Sequence, residues 1–113
     1  MTEEEEYQKF VHAVEEGDNR SKTKLAWYLL SGRGGAKIDE DRAVMLLKEQ
    51  VKDKDSEAMW MLGLCYEYGI GCEQDIPKAE TLYKESEESG NVIGELLKNN
   101  EERGSGILKV KSL

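Results

Sequence analysis

The stretch AMWMLGLCYEYGIGCEQDIPKAE, from Ala58 to Glu80, decides the fold. Its first nine residues, Ala58 to Tyr66, are all apolar or glycine. A lone surface helix keeps a polar face toward water, so a segment this apolar must be covered on several sides. Gly69 and Gly71 follow, and both suit the positive-φ conformations through which a chain leaves a helix. Asp75 then stands where it can cap a further helix, roughly 76–88, with Pro77 in the first turn, where a missing N–H costs little. The stretch reads as helix, glycine turn, helix.

The same pattern recurs upstream. Moved by 37 residues, Leu25 meets Leu62, Ala26 meets Gly63, Gly32 meets Gly69 and Gly34 meets Gly71. Beyond the loop the offset is 36, and Ala43 meets Ala79, Leu46 meets Leu82, Leu47 meets Tyr83 and Lys48 meets Lys84. Gly17-Asp18, Lys54-Asp55 and Gly90-Asn91 fall on one another in the same way. Such a period marks a solenoid of stacked helix pairs. The expected elements are helices over 3–16, 20–31, a third capped within Asp39 to Asp41, then 57–68, 76–88 and a weaker sixth over 91–102. In the first, Tyr7, Phe10, Val11 and Val14 form one apolar face.

The pattern Ala58-x3-Leu62-Gly63-x2-Tyr66-x2-Gly69-x-Gly71-x3-Asp75-x2-Lys78-Ala79-x3-Tyr83 resembles the Sel1-like repeat, a relative of the tetratricopeptide repeat. Residues 21–57 keep Leu25, both glycines and Arg42-Ala43, and depart at Ala26, Leu29 and Lys54. The resemblance implies an all-α, right-handed superhelix of stacked helix-turn-helix repeats, about six helices in all. Its expected divisions are a solenoid over 3–103 and a tail over 104–113. Within the solenoid lie a half unit 3–20, repeats 21–57 and 58–93, and a half unit 94–103. The outer helices are read as caps.

Composition narrows the function. The chain has 113 residues, 35% of them charged, with a net charge of −8. That balance argues against nucleic acid and anionic membranes, which need a basic surface. No apolar run approaches a membrane span, and the opening MTEEEE is unlike a signal peptide, so a cytoplasmic location is expected. Cys65 and Cys72 are too few for a disulfide framework and read as small buried hydrophobes, a bridge between them staying open. No zinc pattern exists, and His12 has no catalytic or metal-binding companions. The glycines of Gly32 to Gly35 lack the lysine and the preceding strand of a phosphate loop. No enzymatic activity, metal or cofactor is expected.

What the resemblance implies is protein–protein interaction, as an adaptor or scaffold. By analogy with tetratricopeptide repeats, the first helix of each unit lines a concave groove. Arg20, Thr23, Trp27 and Leu30 are the expected groove residues of one repeat. Glu57, Trp60, Leu64 and Glu67 are those of the next, with Ile93 and Leu96 beyond them. A groove with two tryptophans and a rim of Glu57 and Glu67 suits a protein or peptide with hydrophobic and basic residues. Either indole can instead pack against a neighbouring unit. The alternative function is structural self-assembly through the end faces of the solenoid. The tail GSGILKVKSL, Gly104 to Leu113, offers a flexible hinge and a short apolar, basic segment. It either folds over the last helix or enters a groove.

Overall fold

The computed structural model of the chain describes residues 1–91. Five α-helices follow one another: α1 (Glu3–Glu15), α2 (Lys22–Ser31), α3 (Glu40–Lys52), α4 (Ser56–Tyr68) and α5 (Ile76–Glu88). Short 3-10 turns at Asn19–Ser21 and Arg33–Gly35 flank α2. No strand occurs among the described residues, and the architecture is the all-α solenoid expected. The expected sixth helix and the tail 104–113 lie outside the described residues.

Four of the five described helices begin where a short polar side chain satisfies a free backbone N–H. Asp39 accepts from the Arg42 N–H at 3.1 Å, Asp55 from that of Glu57 at 3.0 Å and Asp75 from that of Lys78 at 3.1 Å. A cap of this kind contributes about 1 kcal/mol. Thr2 opens α1 with a reciprocal box, its hydroxyl accepting from the Glu5 N–H while the Glu5 carboxylate accepts from the Thr2 N–H. The run expected as one helix from residue 20 is divided. Asp18 accepts from the Arg20 N–H and sets up a 3-10 turn, and α2 proper starts at Lys22.

The apolar circumference of α4 is explained by its neighbours. It packs against α3 on one side and α5 on the other. Ala58, Met59, Met61, Leu62 and Cys65 are all buried within it. Leu25 and Leu29 from α2 and Ala43, Val44 and Leu47 from α3 share the same core. At Gly63 the ring of Tyr83 packs against the helix, and a Cβ would run into that ring. A side chain as large as tyrosine is wholly buried there because the facing residue has none.

The joints between units are equally specific. A Cβ at Gly34 would sit 2.7 Å from the Glu3 carbonyl oxygen and 3.0 Å from Cβ of Tyr7. A Cβ at Gly71 would run into the Glu40 carbonyl group and approach Val44. Glu3 and Glu40, like Tyr7 and Val44, are 37 residues apart. So α1 rests on the first repeat as α3 rests on the second. None of its residues is fully buried, although Tyr7, Phe10, Val11 and Val14 pack onto the core.

Candidate functional site: the face shared by α2 and α4

One face of α4 escapes the packing. Trp60 and Leu64 are half-buried, and Tyr68 is 40% exposed. Glu57, one turn before Trp60, takes both carboxylate oxygens to Lys24 of α2, at 3.1 and 3.3 Å. That ion pair joins the outward faces of the two helices. From the 3-10 turn into α2 the exposed line runs through Arg20, Lys24 and Ser31, with Trp27 half-buried among them.

The two indoles differ in setting. Trp27 meets Tyr28 edge to face, with centroids 4.9 Å apart, and the Arg33 guanidinium lies 5.4 Å from its ring centre. Arg33 is held in turn by Glu3, at 2.7 Å. Trp27 is thereby built into the joint with α1. Trp60 and Leu64 pack beside Ala79 and Tyr83 of α5 and keep part of their surface open.

Two of the expected groove residues are corrected. Thr23 is only 2% exposed, and its hydroxyl donates to Asp55 at 2.6 Å. Glu67 is 6% exposed and belongs to the interior. Leu30 is half-buried and packs on the core. Ile93 and Leu96 lie outside the described residues. Helical pitch explains the pattern. At 3.6 residues per turn, a residue ten places on is rotated by about 80°, whereas one eleven places on returns to within about 20°. Counting from Glu57, the line therefore reaches Tyr68, not Glu67. From Arg20 it reaches Ser31, not Leu30. Ser31 and Tyr68 are the positions this count adds, and it was available in the sequence; Lys24 joins them through its ion pair with Glu57.

A second concavity of about 370 Å³ opens between α4 and α5. Leu62, Tyr66, Pro77 and Leu82 line it, and Lys78 lies 5.3 Å above the Tyr66 ring. Reactive chemistry is poorly served nearby. Cys65 and Cys72 are both free thiols. Burial pushes the Cys65 thiol up to about 12, and burial also raises Cys72 against the opposing pull of Lys48 and Lys78. A thiol held protonated is a weak nucleophile. Among the described residues, no three His, Cys, Asp or Glu side chains converge as metal ligands. None of the described helices is long and apolar enough to cross a membrane.

Stacked helix hairpins with glycine joints and a partly open inner face define an α-solenoid repeat protein. The chain belongs to the Sel1 repeat family, whose profile matches residues 20–49 and 56–91. It is 31% identical over 94 residues to human protein sel-1 homolog 2, covering 83% of this chain and 14% of that protein. It is 35% identical over 54 residues to mouse DAP3-binding cell death enhancer 1, covering 48% of this chain and 11% of that protein. Among solved structures, a Sel1 repeat protein from Oxalobacter formigenes superposes with a TM-score of 0.73 at 26% identity, over 95% of this chain and 46% of that one. The protective antigen c5321 of uropathogenic Escherichia coli shares the fold, with a TM-score of 0.69 at 23% identity over 81% of this chain and 20% of that one. The chain thus spans between about a tenth and a seventh of the length of the curated relatives it matches. Repeats of this family generally mediate protein–protein contacts and generally serve as scaffolds rather than enzymes.

Proposed function

We propose that this chain is an adaptor module that binds a peptide or helix of a partner protein along the concave face of α2 and α4. The observation that carries the reading is the open edge of Trp60 and Leu64 on a helix that is otherwise buried. A partly open indole beside an aliphatic side chain is the kind of anchor on which interfaces concentrate their binding energy. The name of the mouse relative records a binding role for that protein, which agrees with a binding role here.

The test compares partner capture by the unaltered chain with capture by Trp60→Ala and Trp27→Ala, each first shown to be folded by circular dichroism. Truncating a tryptophan anchor costs about 2 kcal/mol or more of binding, so Trp60→Ala should lose its partners about thirtyfold. Trp27→Ala should keep most of them, because its indole is occupied by Arg33 and Tyr28. Partners retained in full by Trp60→Ala would remove the groove as the binding site.

A further inference from the structure

The charges on this face are not those of the chain as a whole. The net charge is −8, yet Lys24 stands on α2 with Arg20 and Arg33 in the 3-10 turns at its two ends. Of the two glutamates expected on the rim, Glu67 is buried, and Glu57 is taken up by Lys24. Arg33 is engaged by Glu3. Arg20 is exposed and has no carboxylate within ion-pair distance among the described residues. It lies one helical turn before Lys24, and Lys24 reaches Glu57, one turn before Trp60. A free cation, a half-satisfied cation and an open indole therefore follow one another along the joined face.

Resting on the groove reading above, we infer that the face takes an acidic-apolar peptide segment. Its carboxylate meets Arg20 and Lys24, and its aliphatic or aromatic side chain covers Trp60 and Leu64. A basic segment is the poorer fit, because the Glu57 carboxylate already has its partner in Lys24. It would have to displace Lys24 from Glu57 and would place its charge beside Arg20. The acidity of the rest of the molecule does not reverse this. At physiological salt, exposed charges more than about 8 Å away are largely screened, and contact is decided by the groups that touch. Arginine also offers a planar fork of donors matched to a carboxylate.

The experiment pans a library of random twelve-residue peptides on the full chain. The enriched peptides are then synthesised and titrated against the unaltered protein, Arg20→Glu/Lys24→Glu, Arg20→Ala/Lys24→Ala and Trp60→Ala. Circular dichroism confirms that each variant is folded, and both double variants lie at exposed positions. The expected peptides carry Asp or Glu within a few residues of Leu, Ile or Phe. Affinity should fall at least tenfold in the Glu double variant, by less in the Ala double variant, and at least tenfold in Trp60→Ala. Enriched peptides that are basic and depend on Trp60, or acidic peptides indifferent to both double variants, overturn this inference and leave the groove standing. Peptides indifferent to Trp60→Ala, or no enrichment at all, overturn both.

Discussion

Thr23 and Trp60 hold the same place in the two repeats, 37 residues apart. Thr23 is sealed inside, its hydroxyl bonded to the Asp55 that caps the next helix. Trp60 keeps part of its indole at the surface and leans on Ala79 and Tyr83 of its own repeat. The neighbouring position shows a second contrast. Trp27 stacks against Tyr28 and Arg33, while its counterpart Leu64 packs beside Ala79 and Tyr83. A repeat position therefore fixes where a side chain starts but not whether it is free. That depends on what the adjoining unit brings to it. In the first repeat Asp55 takes the Thr23 hydroxyl, and Arg33, held by Glu3 of α1, lies over Trp27. In the second, the same geometry leaves an apolar edge.

The comparison can be attacked at its joints, where the largest effects should appear. Gly71→Ala and Gly34→Ala each place a Cβ against backbone of the preceding helix at a positive φ. Each should cost about 3 kcal/mol in urea unfolding, from backbone strain and overpacking together. Equal losses would confirm that α1 and α3 play the same part, and a harmless Gly34→Ala would break that equivalence. Next comes the sealed hydroxyl. Thr23→Val keeps the shape but removes a 2.6 Å charge-assisted bond, and should cost about 2 kcal/mol of stability. It should leave partner capture unchanged, the reverse of Trp60→Ala, and a loss of capture would mean that the two positions are not opposites after all.

A smaller effect should run in the stabilising direction. Lys54 has a φ of 65°, the left-handed conformation that Gly17 and Gly90 adopt at the same repeat position. Lys54→Gly relieves that strain at the cost of a freer unfolded chain. It should raise the melting temperature, with a gain of about 1 kcal/mol or less. Smallest of all is the ion pair across the face. Lys24 and Glu57 remain 53% and 37% exposed, so Lys24→Ala should change stability by about 0.5 kcal/mol or less. A larger change would show that the pair holds the two repeats in register.

The sequence carried the helix pairs, the glycine joints and the buried character of α4, because periodicity and turn residues are local signals. Lys54 was visible as a departure from the repeat, but only the backbone shows that it takes the glycine conformation regardless. Of the residues expected in the groove, Trp60 and Leu64 are half-buried with part of their surface open, whereas Thr23 and Glu67 were expected outside and are inside. Thr23 is buried by a contact with Asp55, 32 residues away, which no local pattern reports. Ser31 and Tyr68 were missed for a simpler reason, the azimuth of the fourth position along each helix. The Arg33–Glu3 pair, which engages the cation beside Trp27, is also a contact between units.

The glycine joints also bear on how the chain reaches this form. Each joint links backbone about 30 residues apart, Glu3 to Gly34 and Glu40 to Gly71, so closing one does not await the other. Short-range assembly of this sort favours rapid folding that can begin at either hairpin and spread to its neighbour. Damage should stay where it falls. A broken joint at Gly34 would release α1 and leave the α4–α5 pair folded, so the chain would lose its end before it lost its face.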